Sequence, residues 1–451
     1  MGKIFGTDGI RCIVNTEPLT AETTLKISKT VGYLLKSNSK MNARVIICKD
    51  TRLSGYLYEP LITAGFISMG MEVILVGPLP TPAVPHLMRT LRADIGVMIT
   101  ASHNTYEYNG IKFFNIDGFK ISSKLEKEVE NIVLNKKKYS KILNTTSISG
   151  KAVRLEDASG RYSEFLKSTL NKKIKTKKLK IVLDCGNGAT YDIAPNIFWE
   201  LGHNVVSINN RPDGKNINYN CGAVNVASLC KKVVEEKADI GFAFDGDGDR
   251  LIVVDDKGNK IDGDKIIALF AKYLINNKKI NSKFPVIATV MSNLGLENFL
   301  LNDLGIKLKR SAVGDINVIE EMKKNKSFLG GEQSGHIILS DFSKTGDGIL
   351  AALKITEIMS ILKKSSSSIF DLYDNLPQIK VNISYKKISE KTKKNIKDLN
   401  KKNSRDKKIR VLIRLSGTEP LIRLLVEGQD LKIVEQKAKN LELEIRNIIG
   451  Q

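Results

Sequence analysis

Three aspartates alternate with two glycines in "AFDGDGDRLIVVD": Asp245, Asp247 and Asp249, separated by Gly246 and Gly248. In an extended segment, residues two apart point the same way, and glycines let the backbone curve tightly. Three carboxylates converging on one point repel one another unless a cation stands among them. Hard oxygen donors suit Mg²⁺ or Ca²⁺. An EF-hand loop needs Gly at its sixth position and usually Glu at its twelfth. Those positions hold Arg250 and Asp256, between strand-like flanks, so the stretch is not an EF-hand. The plainer alternative is an acidic surface hairpin, for which strict Asp-Gly alternation is unusual turn chemistry. Three carboxylates leave an octahedral Mg²⁺ short of ligands, which makes room for a phosphate oxygen.

A second stretch, "TASHNTYEYNG", follows the apolar run "ADIGVMI". Ser102 stands just past the predicted strand, in a loop ending at Asn109-Gly110, with Lys112 just beyond. The serine is in neither a G-x-S-x-G elbow nor an S-x-x-K motif. The chain has four histidines, His86, His103, His203 and His336, and nothing local supports a hydrolase triad. A serine near a metal site and a lysine suits phosphoryl transfer, where cations neutralise the moving group. Taken alone, "ASHN" also reads as a helix cap or turn.

Two further stretches carry ligand-binding chemistry. In "GGEQSGHIILSDFSKTGDG", Glu332 and Ser334 flank Gln333 and would face one ligand from an extended strand. A carboxylate beside a hydroxyl suits sugar hydroxyls, and His336 is a candidate proton shuttle; a β-turn with a capped histidine is the alternative. In "RLSGTEPLIR", Arg414, Ser416, Thr418 and Arg423 surround Gly417, which makes an anion nest with phosphate as its natural guest. A hairpin turn with solvated arginines is the alternative there. A nucleophile, a metal loop, a hydroxyl-reading loop and a phosphate nest would meet in one cleft, as in an enzyme acting on a phosphosugar.

The elements that must position these stretches repeat along the chain. "ARVIICKDTRLSGYLYEPLITAGFISMGMEVILVG", "LKIVLDCGNGATYDIAPNIFWELGHNVVSI" and "FPVIATVMSNLGLENFLLNDLGIKL" each read as strand, polar loop, helix, glycine, strand. The runs rich in Val and Ile suit strands covered on both faces. Gly70, Gly202 and Gly305 stand where left-handed residues stop helices. A chain of 451 residues exceeds one core. The fold class expected is α/β: three related α/β domains with mixed sheets, and a smaller C-terminal α+β domain, with the site in the central cleft. The domains are placed at 1–153 (serine loop), 154–255 (metal loop), 256–371 (sugar loop) and 372–451 (phosphate loop). Residues 386–408 read as a lysine-rich helix and linker, followed by a hairpin and a last helix.

Composition excludes several classes. The net charge of +22 suggests nucleic acid, but lysine runs such as "NKKIKTKKLK" lack interleaved aromatics, and no zinc-finger or RNP pattern occurs. They read as solvated helix faces and loops, although a basic field also attracts small phosphorylated ligands. No apolar run is long enough to cross a bilayer, and the start lacks a signal-peptide core. Five cysteines without a C-x-x-C pair argue for reduced, mostly buried thiols. The expectation is a cytoplasmic protein without nucleic-acid or membrane partners.

Seven ordered motifs, "FGTDGIR", "TASHN", "NGIKFF", "PDGKNIN", "DGDGDR", "GEQSGH" and "SGTEP", resemble the α-D-phosphohexomutases over nearly the whole chain. That resemblance implies a phosphate carried on Ser102, with one of its oxygens joining Asp245, Asp247 and Asp249 around one Mg²⁺ per subunit. Ser102 would pass its phosphoryl group to a sugar monophosphate, a bisphosphate would turn around, and Ser102 would take back the other phosphoryl group. Lys112, Arg11 and His336 match positions tied to proton handling and charge stabilisation. Arg250 would hold the phosphoserine, and Glu332 and Ser334 would grip ring hydroxyls. Arg414, Ser416, Gly417, Thr418 and Arg423 would hold the phosphate that is not reacting. "FGTDGIR" and Gln333 imply exchange of glucosamine 6-phosphate and glucosamine 1-phosphate through glucosamine 1,6-bisphosphate, supplying UDP-N-acetylglucosamine and cell-wall precursors. Glucose or mannose phosphate is the alternative substrate, a noncatalytic sugar-phosphate sensor is the alternative class, and a homodimer is compatible with the resemblance. Three positions depart from the family pattern: Thr105 after "ASHN", Cys12 after "FGTDGIR", and Ile316-Asn317 after "VGD".

Overall fold

The computed structural model describes residues 4–6, 8–36, 43–143, 149–174, 177–277, 283–386, 388–403, 409–416 and 420–450. The first sheet has strands β1 (Ile10–Ile13), β2 (Arg44–Lys49), β3 (Glu72–Pro78), β4 (Ile95–Ile99), β5 (Tyr108–Phe114) and β6 (Ala152–Arg154), in the order β1-β5-β4-β2-β3-β6. The second has β7 (Lys180–Asp184), β8 (Asn204–Ile208), β9 (Ile240–Phe244), β10 (Leu251–Asp255) and β11 (Lys260–Ile261), in the order β11-β10-β9-β7-β8. The third has β12 (Val286–Thr289), β13 (Leu308–Ser311), β14 (Leu329–Gly331) and β15 (Ile337–Leu339), in the order β13-β12-β14-β15. The fourth, smaller sheet joins β16 (Gln378–Ser384), β18 (Leu421–Gly428) and β17 (Ile409–Leu415) in that order.

The three repeated units are β2–β3, β7–β8 and β12–β13, each a parallel pair crossed by a helix: Gly55–Ser68, Ile193–Glu200 and Leu294–Asn302. Gly70, Gly202 and Gly305 follow those helices with φ of 79°, 84° and 66°. The covered strands are buried along their length, as in β4, β9 and β10. Each of the first three sheets then adds an antiparallel partner to a parallel strand: β4–β5, β9–β10 and β14–β15. In the fourth domain, whose sheet is wholly antiparallel, β17 and β18 also pair antiparallel. The serine, carboxylate and Glu332 stretches centre on the links of the first three of these hairpins, so one topological device presents all three.

Two features differ from the sequence reading. The second sheet runs on to Ile261, past the join placed at 255, because β11 pairs with β10. The fourth domain has an unforeseen third strand, β16, whose register with β18 runs from Gln378↔Glu427 to Ser384↔Leu421. The lysine-rich stretch does contain a helix, Glu390–Asn403, which turns Ile396 and Leu399 inward.

The first three domains share one apolar core: Ile46, Leu183 and Ala288, one from each sheet, belong to the same buried cluster. The fourth domain has its own cluster around Ile383, Ile413 and Val434. Polar contacts help join it to the third domain. Buried Glu427 accepts hydrogen bonds from Arg410 Nη1 at 2.7 Å and from the Leu294 amide at 2.8 Å. No helix among the described residues is long and apolar enough to cross a membrane. The five cysteines are free, with Cys48, Cys185 and Cys221 buried.

Candidate active site

Ser102 sits at the end of the buried strand β4 with φ of 51°, a left-handed conformation for a residue that has a Cβ. Such a residue costs about 1–3 kcal/mol and persists only where its surroundings hold it. Its amide donates to Thr100 Oγ1 at 2.8 Å. Its own hydroxyl donates to Asp245 Oδ2 at 2.8 Å. The nucleophile candidate of the first domain thus touches the carboxylate loop of the second.

Asp245, Asp247 and Asp249 are buried, and one oxygen from each lies within 4.8 Å of the others. The segment is a turn rather than an extended strand, closed by the Gly248 amide on the Asp245 carbonyl at 3.0 Å. The carboxylates converge because the backbone curves, not because side chains alternate. Arg250 N donates to Asp245 Oδ1 at 3.2 Å. Asp247 Oδ2 accepts from Thr81 Oγ1 at 2.6 Å and from Lys112 Nζ at 3.0 Å. Asp247 Oδ1 and Asp249 Oδ1 are buried and accept no hydrogen bond. Burial, then the charges of Asp249 and Asp247, push the Asp245 carboxyl well above the ordinary range. Two orphaned buried oxygens and mutual repulsion fit a divalent cation among these three residues.

Lys112 projects from β5 and is buried. Its Nζ lies 3.0 Å from Asp247, 3.3 Å from Asp8 and 3.5 Å from Asp249. Burial works against its charge, but Asp247, Asp8 and Asp249 outweigh that and raise its pKa well above the ordinary value. Arg11 pairs with Asp8 at 2.7 Å and reaches Asn104 Oδ1 at 3.3 Å. Asp8 also pairs with Lys120, which bonds Asp315 at 2.5 Å. Arg250 Nε stands 3.9 Å from Asp249 and 4.0 Å from Asp245.

His336 lies behind Asp249. Its Nδ1 is 3.6 Å from Asp249 Oδ1, and its Nε2 accepts the Gly346 amide at 3.0 Å. Burial opposes the imidazolium, but Asp249 outweighs it and draws a proton to the ring. Accepting the Gly346 amide requires Nε2 to be unprotonated, which places the neutral ring's proton on Nδ1, facing Asp249.

Glu332, Gln333 and Ser334 line a cavity of about 630 Å³ together with Asp245, Arg250 and His103. Gly314 N donates to Glu332 Oε1 at 3.0 Å. Gln333 Nε2 donates to Asp264 at 3.2 Å, and its Oε1 accepts from Lys380 of the fourth domain at 2.7 Å. His103 is held to a pKa of about 3 by burial and then by Arg250, so it stands neutral. Arg414, Ser416 and Arg423 are not among the described residues lining this cavity. Arg414 and Arg423 are direct partners across β17–β18. Burial and then Arg423 hold the Arg414 pKa below the ordinary value, as expected for two guanidiniums facing each other. Gly417 and Thr418 lie outside the described residues.

Sequence reasoning named candidate reacting groups and missed residues that contact them: Thr81 on Asp247, Asp8 beside Lys112, and Arg52 and Asn218 on the Ser102 carbonyl. Asn218 stood in a quoted motif, "PDGKNIN", without a role. Arg52 had only one signal, a charged residue in the polar loop after an apolar strand. At the departing positions, Asn317 Nδ2 donates to Val313 O at 2.8 Å and Cys12 Sγ to Thr16 O at 3.4 Å.

A buried serine bonded to a carboxylate cluster, at a cation-lined cleft among α/β domains, suits phosphoryl transfer. Phosphoglucomutase/phosphomannomutase family models match four consecutive segments: alpha/beta/alpha domain I over residues 2–140, II over 160–258, III over 262–377, and the C-terminal domain over 379–443. A phosphoglucosamine mutase of Parvibaculum lavamentivorans is 46% identical over 447 residues, 99% of each chain. One of Granulibacter bethesdensis is 48% identical over 442 residues, 96% of this chain and 95% of the relative. A phosphoglucomutase/phosphomannomutase family protein of Burkholderia thailandensis superposes with a TM-score of 0.82 at 22% identity, covering 99% of this chain and 97% of the other. An Aspergillus fumigatus N-acetylphosphoglucosamine mutase in complex with glucose 1,6-bisphosphate gives 0.66 at 16% identity, covering 100% and 96%. The chain belongs to the phosphoglucomutase/phosphomannomutase family, the α-D-phosphohexomutases, and like them it is an isomerase.

Proposed function

We propose that this chain interconverts glucosamine 6-phosphate and glucosamine 1-phosphate through a phosphoserine at Ser102 and a glucosamine 1,6-bisphosphate intermediate. The full-length relatives named phosphoglucosamine mutase support the substrate. The observation that carries the mechanism is the 2.8 Å hydrogen bond from Ser102 Oγ to Asp245, which sets the serine against the carboxylate cluster. Asp245, Asp247, Asp249 and a phosphate oxygen on Ser102 would hold a Mg²⁺, which when bound neutralises charge on the transferring group.

The chain's own residues account for the rest. In the forward half-reaction the P–Oγ bond of phosphoserine breaks as a sugar hydroxyl oxygen bonds phosphorus. The hydroxyl gives up its proton and Oγ gains one. Lys112, kept protonated by its carboxylate partners, supplies positive charge and a proton donor beside Asp247. Arg250 reaches into the same cavity and would steady the phosphoserine. Glu332 and Ser334 would take ring hydroxyls from the cavity wall. Arg414, Ser416, Gly417, Thr418 and Arg423 would bind the phosphate that is not reacting, in either orientation of the bisphosphate. Arg11 acts beside Lys112 through Asp8, and His336 acts by orienting Asp249. A cytoplasmic site of action, serving UDP-N-acetylglucosamine and cell-wall precursor synthesis, belongs to this reading.

The test is formation of glucosamine 1-phosphate from glucosamine 6-phosphate with Mg²⁺ and a bisphosphate primer, with glucose and mannose 6-phosphates in parallel. Preference for the amino sugar is expected, with turnover lost in Ser102→Ala and in EDTA and regained with added Mg²⁺. Preference for glucose or mannose phosphate overturns the substrate; full turnover in Ser102→Ala overturns the mechanism.

A further inference from the structure

The carbonyl of Ser102 is the meeting point of two side chains from two domains. Arg52, in the loop after β2, is 1% exposed. Its Nη2 donates to the carbonyls of Ser102 at 2.9 Å and Asn104 at 2.7 Å. Its Nη1 donates to the carbonyl of Tyr108 at 3.1 Å and to that of Thr105. Its Nε donates to Asp50 Oδ2 at 2.9 Å. A guanidinium has five N–H donors, and these bonds engage every one. Asp50 Oδ2 also accepts from Thr100 Oγ1 at 2.6 Å, the same hydroxyl that receives the Ser102 amide.

Asn218, from the second domain, repeats two of these bonds. Its Nδ2 donates to the carbonyls of Ser102 at 2.8 Å and Asn104 at 2.9 Å. The metal loop closes over this junction. A Cβ at Gly246 would lie 2.6 Å from the Ser102 carbonyl oxygen and 2.7 Å from Asn218 Nδ2.

We infer that Arg52 and Asn218 are positioning residues for the reaction: from two domains at once they hold Ser102 in its left-handed conformation and so aim its hydroxyl at Asp245. The inference rests on Ser102 being the phosphoryl carrier. Lysine at 52 keeps the charge but, as a point donor on a flexible stem, cannot span four carbonyls. A loosened loop misaligns the phosphoserine with the sugar hydroxyl and opens it to water. In that side reaction the P–Oγ bond breaks, a water oxygen bonds phosphorus, inorganic phosphate leaves, and Oγ gains a proton.

The experiment compares Arg52→Lys, Asn218→Ala and the double variant with the wild type. It reads kcat and KM for glucosamine 6-phosphate, loss of phosphoserine to water by intact mass, and the folded fraction by circular dichroism. Each single variant is expected to lose about 10- to 100-fold in kcat, with KM within about twofold, and to shed its phosphate faster. The double variant should lose less than the product of the single losses, because both residues act on the same carbonyls. A kcat for Asn218→Ala within about twofold of wild type, a rise in KM alone, or a loss matched by the unfolded fraction overturns the inference. Should Arg52→Lys fail to fold, Asn218→Ala decides. A wild type inactive on every hexose phosphate fails earlier, and sinks the proposed function instead.

Discussion

Asp264→Asn should stabilise the protein at pH 8 and leave it unchanged near pH 4. Asp264 lies in the helix Gly263–Asn276 and is fully buried. Its Oδ2 accepts from the Asn293 amide at 2.8 Å and from Gln333 Nε2 at 3.2 Å, while Oδ1 accepts no hydrogen bond. Burial first, then the charge of Asp262, raise its pKa from 3.8 to about 7. The folded state therefore keeps a proton that the unfolded chain gives up between about pH 4 and pH 7. Across that window the unfolded state binds fewer protons, so stability falls as pH rises and is fully present only below the unfolded value. At about 1.4 kcal/mol per pH unit, the interval amounts to on the order of 4 kcal/mol. Asparagine keeps the acceptor that both donors use and carries no charge. Differential scanning calorimetry of both proteins from pH 4 to pH 8 tests this. Melting midpoints should coincide at the acid end and diverge upward for the variant as pH rises. A variant that is less stable at pH 8, or a gap that does not change with pH, would refute the argument, because Asp264 would then be held as an anion.

Two further substitutions test the loops. At Gly335, which has φ of +94°, a Cβ would stand 2.2 Å from the Leu251 carbonyl oxygen. Gly335→Ala should cost more than about 2 kcal/mol and raise KM by pulling Glu332 off the cavity wall; an unchanged melting midpoint would contradict the geometry. Arg414→Ala should raise KM for the sugar phosphate about 10- to 100-fold, as loss of a charge-assisted hydrogen bond does. It should also spare or raise the melting midpoint of the ligand-free protein, since Arg414 and Arg423 are direct neighbours across the strands. An unchanged KM would remove Arg414 from the phosphate site.

The repeat units were legible because their signals are short-range. Apolar runs followed by a polar loop mark covered strands, and the glycines after the three helices do take positive φ. The Asp-Gly alternation named the carboxylate cluster, and of the two causes offered for it the tight curve that glycine allows, not strand alternation, brings the oxygens together. The strand β16 escaped notice because it is an edge strand of half-exposed and exposed residues with Ile383 alone buried, which gives little periodic signal. Arg52 and Asn218 escaped because side-chain amide and guanidinium donors bonding to backbone carbonyls leave no pattern in sequence.

By itself, then, the sequence determined which groups can react and which segments become strands and helices. Those properties follow from residue type, spacing and the φ that glycine allows, all set within a few residues. Only the tertiary structure decided how the groups meet. Ser102 and Asp245 are 143 positions apart, and Lys112 and Asp247 are 135 apart. Such contacts form when buried strands of separate sheets pack on a shared core, and burial then decides the charges. Low-polarity packing holds His103 neutral and drives Asp245 toward its protonated form, while the aspartates brought beside Lys112 outweigh burial and keep it protonated. No local spacing specifies a field made by residues that distant in the chain.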